Sequence, residues 1–154
     1  MDDTDLIYVC GGDTYLMLEV WKNTGFDKKL KEVYDKDSAV LCGSSAGGMC
    51  WFATGYSDCS RKKTNGHSNG FLDCLGIYDM AFCPHAGSRG ADFEEDLPET
   101  GLVGLEMEDE TAFVDNNGEI VVKYIKRRIK FVVTLAYHEL IQHKYFLLLL
   151  RLLI

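Results

Sequence analysis

Gly43-Ser44-Ser45-Ala46-Gly47 sets a serine among small residues in the pattern G-x-S-x-G. An apolar β-type run, residues 38–42 (SAVLC), precedes it, and residues 49–52 (MCWF) read as the body of a following helix. A nucleophile elbow needs that context. The sharp strand-to-helix turn cramps the backbone at the serine, so its neighbours must be small and its hydroxyl projects from the end of a sheet. The Ala46 amide would then point at a developing oxyanion, helped by the partial positive charge of the helix N-terminus. Without a partner base, the same five residues are only a glycine-rich turn.

A serine hydroxyl becomes a nucleophile when a base takes its proton. There are four histidines. His67 lies in a polar stretch, and His138 and His143 lie in the C-terminal part. His85 follows the apolar run Met80-Ala81-Phe82-Cys83-Pro84, at a strand end, where a parallel sheet collects its functional groups. The imidazole needs an acid to hold its tautomer and stabilise its charged form. Glu108 and Asp109, after the strand-like residues 103–107, are best placed. Residue type alone does not separate them from Glu106 and Glu110.

Gly11-Gly12-Asp13-Thr14 is a second glycine turn after a strand. It could bring a further amide to the substrate carbonyl, or be a plain tight turn. It is no nucleotide fingerprint, since neither G-x-G-x-x-G nor a Walker motif is present.

The elements that must position these groups alternate. Residues 6–10 (LIYVC) read as a buried strand, and residues 14–34 as helix interrupted near Gly25. Residues 53–70 read as a polar surface loop, 71–77 and 80–83 as short strands, and 92–97 as helix. Residues 101–107, 112–115 and 119–124 read as strands, with Asn116-Asn117-Gly118 as a hairpin turn between the last two. This alternation predicts an α/β domain with a largely parallel sheet.

A chain of 154 residues with 47% apolar content can build one core. Its net charge of −8, with no basic stripe before residue 123, argues against a nucleic-acid partner. The six cysteines form no C-x-x-C pair, which gives zinc little support. The start Met-Asp-Asp-Thr-Asp puts acids where a signal peptide has basic residues, so a reducing cytoplasm is the expected setting. Residues 145–154 (YFLLLLRLLI) are too short to span a bilayer and are interrupted by Arg151, so a short buried or interfacial helix is expected there.

Taken in order, four segments resemble the S51 serine peptidases, the family of peptidase E (aspartyl dipeptidase) and, more distantly, cyanophycinase. IYVCGGDTYLML is similar to the family's strand, Gly-Gly-Asn-Thr turn and leucine-rich helix. LCGSSAGGMCWF is similar to its G-x-S-A-G-A elbow, and FLDCLGIYDMAFCPH to its L-G-L…C-P-H segment. GLEMEDETAFVDNNGEIVV is similar to its strand, acidic turn and final hairpin. Together they cover residues 5–122.

The resemblance implies an α/β fold with a mostly parallel sheet flanked by helices. This is the three-layer arrangement of class I glutamine amidotransferases and flavodoxin, with a C-terminal β-hairpin. It implies a triad in the order serine, histidine, acid: Ser45, His85 and, counting from Gly104, Glu108, with Asp109 as the alternative. Gly12 and Ala46 carry over as oxyanion amides. The implied reaction is acyl-enzyme hydrolysis of a small peptide, dipeptidase-like and possibly of Asp-X type, with no metal or organic cofactor. Arg89 could face a substrate carboxylate, but no specificity residue carries over.

Three departures accompany the resemblance. The chain begins almost at the Gly-Gly-Asn-Thr strand, so residues 1–122 are expected as one domain lacking its leading strands, with an exposed sheet edge. Asp13 replaces Asn and could bring a charge near the oxyanion loop, and Gly48 replaces Ala. Residues 123–154, basic and then leucine-rich, form a tail without counterpart. A shortened, non-catalytic homologue is the second reading. An amidotransferase-like domain is the third, disfavoured because that class uses cysteine where this chain has Ser45.

Overall fold

The computed structural model describes residues 4–60, 65–116, 118–124 and 129–132. The leucine-rich run 145–154, His138 and His143 lie outside the described residues.

Strand β1 (Leu6–Val9) pairs in parallel with β2 (Val40–Gly43), Val9 opposite Gly43. Between them run α1 (Thr14–Thr24) and α2 (Phe26–Asp35). Gly25 separates the two helices at φ 76°, a left-handed conformation suited to glycine, and its N–H caps the Trp21 carbonyl. Trp21 and Phe26 meet edge to face across the break, with ring centroids 5.4 Å apart.

After β2 comes α3 (Ala46–Met49), a single turn. The helix expected through residue 52 therefore stops early. Phe52–Ser57 is instead β3, and all but one of its residues are buried, although residues 53–70 read as a surface loop. Gly55 explains both the misleading composition and the burial. A Cβ there would fall 2.1 Å from the Met49 Cγ and Sδ, so the glycine makes room for a core side chain.

Strands β4 (Gly70–Asp73), β5 (Tyr78–Pro84), β6 (Val103–Met107) and β9 (Ile129–Val132) complete a five-stranded sheet with β3, in the order β4-β3-β5-β6-β9. The inner strands β3, β5 and β6 are parallel, while β4 and β9 are antiparallel edges. β9 lies in the stretch assigned to the tail, yet its backbone pairs with β6. β7 (Thr111–Asn116) and β8 (Glu119–Tyr124) form the expected hairpin, with Gly118 at φ 86° in its turn.

The two-residue period of β5 divides the core. Met80 and Phe82 join Leu18, Leu30, Met49, Phe52 and Leu105 on the side of α1–α3, where Phe52 and Phe82 stack with centroids 4.5 Å apart. Ala81 and Cys83 face the other way, onto Phe93 and Leu97 of α4 (Ala86–Asp96) and its short 3-10 extension. The fold is thus α/β, a central sheet with helices on both faces. Leu6, Tyr8 and Val40 stand exposed on β1 and β2. Among the described residues, no helix is long and apolar enough to cross a membrane.

Candidate active site

Parallel pairing brings the functional groups to one edge. Pro84 lies opposite Met107, so the chain leaves β5 at His85 and β6 at Glu108 side by side.

Ser45 lies two residues beyond the end of β2 and adopts φ 53° and ψ −116°, a conformation a non-glycine residue holds only under external constraint. The constraint is visible. The Ser44 N–H bonds the Val9 carbonyl at 3.1 Å, and the Met49 N–H bonds the Ser45 carbonyl at 2.9 Å. A Cβ on Gly43 would lie 2.2 Å from the Gly47 carbonyl oxygen, and one on Gly47 would lie 2.0 Å from that of Val9. Glycine at both positions lets the backbones of β1, β2 and α3 touch. The small residues of the G-x-S-x-G pattern are there for that contact.

The Ser45 Oγ lies 2.9 Å from the His85 Nε2. His85 is itself in left-handed geometry, φ 57°, at the start of α4. Its Nδ1 lies 2.5 Å from the Asp109 Oδ1. A carboxylate only accepts, so Nδ1 carries the ring proton and Nε2 is left to accept from the Ser45 hydroxyl. The acid that reaches the ring is Asp109, the alternative from the sequence. Glu108, the first choice there, offers its backbone carbonyl to the Thr111 hydroxyl. The reason is the turn after β6. Glu110 adopts φ 65°, and this reversal presents Asp109 to the imidazole. Glu106 is buried within β6 beneath α4, its carboxylate close to Gly90.

The site is open. The His85 side chain is 38% exposed and that of Asp109 61%. Gly11 borders Ser45, since a Cβ there would lie 3.3 Å from the Ser45 Cβ. Gly12 follows at φ 153°. Asp13 caps α1, accepting the Leu16 N–H at 2.9 Å, a task that asparagine performs equally well. The expected charge at the oxyanion loop is thus engaged by a helix end. Arg89, one turn beyond His85, bonds the Tyr56 carbonyl at 3.4 Å and approaches Asp58 at 3.5 Å.

His67 stands apart from this site and joins a buried cluster. The Asp96 carboxylate, with no solvent exposure, accepts from Tyr56 at 2.6 Å and Asn65 at 2.5 Å, and pairs with His67 at 3.1 Å. Burial and the Asp96 hydrogen bond push the Tyr56 phenol well above its ordinary range. Among the described residues, no group of three or more His, Cys, Asp or Glu is arranged to hold a metal ion. Sequence reasoning missed the hydroxyls beside Ser45 and His85. Tyr8 donates to the Ser44 Oγ at 3.0 Å, and Ser88 to the His85 carbonyl at 3.0 Å.

The model of peptidase family S51 matches residues 1–125. The chain belongs to peptidase family S51. This S51 chain is 41% identical over 83 residues to the uncharacterized peptidase YgaJ of Bacillus subtilis (strain 168), a match covering 54% of the chain and 33% of that protein. Its fold is similar to the crystal structure of a candidate peptidase E protein from Listeria monocytogenes EGD-e. That likeness has a TM-score of 0.58 at 23% identity and covers 79% of this chain and 60% of the other. The S51 chain therefore matches about a third of the Bacillus protein's length and 60% of the Listeria chain.

Proposed function

We propose that this chain is a serine-type peptidase that hydrolyses small peptides, dipeptides among them, through an acyl-enzyme. The observation that carries this reading is the 2.9 Å contact between the Ser45 hydroxyl and the His85 Nε2, made at a strained corner of the sheet. His85 takes the Ser45 proton as the oxygen attacks the peptide carbonyl. Asp109 accepts from Nδ1, holds the tautomer and balances the imidazolium that forms. The Ala46 and Gly12 amides receive the oxyanion. Collapse of the tetrahedral intermediate breaks the C–N bond, and His85 returns the proton to the leaving amine. Water, activated by the same imidazole, then releases the acyl group.

Family membership supports hydrolysis of peptides, and the chain order Ser45, His85, Asp109 agrees with the serine, histidine, acid order that the resemblance implies. Substrates with an N-terminal aspartate are the first to assay.

Labelling the folded chain with a fluorophosphonate probe and mapping the adduct tests the reading. Modification of Ser45 is expected, and Ser45→Ala should lower peptide turnover by about 10³-fold or more. A soluble, folded sample that takes up no probe favours the non-catalytic reading.

A further inference from the structure

We propose that Thr111 is a positioning residue for the acid of the triad, an inference that rests on the serine-peptidase reading above. The Asp109 side chain is 61% exposed, more than that of His85, so packing alone does not hold its carboxylate on the ring. It projects from the turn between β6 and β7, where water competes for every hydrogen bond. Two features hold that turn. Glu110 reverses the chain at φ 65°, and the Thr111 hydroxyl donates to the Glu108 carbonyl at 2.5 Å. The bond runs from the residue after the reversal to the residue before Asp109, so it closes a loop of backbone around the acid.

Glu110 holds a left-handed conformation that costs about 1–3 kcal/mol and persists only where its surroundings enforce it. The Thr111 hydroxyl supplies part of that enforcement from within the turn. Thr111 also starts β7, paired with Tyr124 of β8, so the closure is anchored to the hairpin. With the bond removed, the turn can relax toward ordinary backbone angles, and the Asp109 carboxylate swings away from the Nδ1.

The test compares Thr111→Val, Thr111→Ser and Asp109→Asn in the full chain, with thermal melts confirming that each folds. Two readouts follow the acid: the downfield NMR resonance of the His85 ring N–H, and the rate of fluorophosphonate labelling at Ser45. Thr111→Val should weaken or abolish the N–H resonance, slow labelling by roughly ten- to a hundredfold, and lower kcat with little change in KM. Thr111→Ser, which keeps the hydroxyl, should restore all three. A Thr111→Val protein with the resonance and labelling rate of wild type, while Asp109→Asn loses both, would overturn the proposal and leave the serine reading standing. Labelling of wild type that survives Ser45→Ala would instead overturn that reading, and the proposal with it.

Discussion

Among the described residues, five non-glycine positions have positive φ, and three of them, Ser45, His85 and Glu110, lie in or next to the cluster that Ser45, His85 and Asp109 form. Each such residue costs about 1–3 kcal/mol and persists only where the surroundings impose it. At Ser45 the imposition is backbone contact through Gly43 and Gly47, so Gly47→Ala should disrupt the elbow outright. Its Cβ would collide with the Val9 carbonyl, and a large drop in melting temperature is the expected reading. The acids allow a finer test. Asp109→Asn should slow turnover by roughly a hundredfold or more, because the ring loses the group that selects its tautomer. Glu108→Gln should change it far less, as a side-by-side kinetic assay would show. The structure brings Ser45 and His85 within 2.9 Å of each other, and the sequence offered both as candidates because each follows an apolar strand. The sequence left four acids open because the choice depends on the turn angle at residue 110, which residue type does not encode.

The elements were legible where pattern and punctuation agreed. The β7–β8 hairpin, the break at Gly25 and the strand before His85 all appear where residue types place them. β3 was illegible because Thr54, Gly55 and Ser57 look like loop chemistry, whereas two are buried polar groups and one is a glycine packed on Met49. The helix after the elbow was overextended because Met49-Cys50-Trp51-Phe52 is apolar enough for either state, and short apolar runs do not distinguish helix from strand. At the same scale, the Asp13 cap on α1 makes a defined prediction. Asp13→Ala should cost about 1 kcal/mol in urea unfolding, whereas Asp13→Asn should be nearly neutral.

For the molecule as a whole, the cluster at the far end of α4 sets a pH dependence separate from the Ser45–His85 site. His67 faces Asp96 at 3.1 Å, with Glu95 at 3.7 Å and Asp92 at 3.9 Å, and Tyr56 of β3 and Asn65 share Asp96. The Asp96 hydrogen bond is the main cause raising the His67 pKa above its ordinary value, against a smaller opposing effect of burial. A raised folded value means the stabilisation is complete below the unfolded pKa of about 6.5 and disappears as pH climbs through the folded value. Wild type should therefore lose more thermal stability than His67→Gln between about pH 6 and 9. Accessibility of the thiols offers a second global check. Cys10 is exposed, while burial pushes Cys83 up to about 12. Brief treatment with iodoacetamide should modify Cys10 in the native protein and reach Cys50 and Cys83 only after unfolding.

The turn after β6 has one more consequence, and it concerns tolerance to accident. Loss of one residue from this connection would put the β-branched Thr111 at the left-handed position that Glu110 holds at φ 65° and break the Thr111 bond to the Glu108 carbonyl, so a neighbouring acid would not simply inherit the Asp109 place. A lineage that changed the length of this connection would have to rebuild the reversal to keep a negative oxygen behind its imidazole. Ser45 and His85 are under a parallel limit, since their places follow β-strands that cannot slip without turning their side chains to the opposite face.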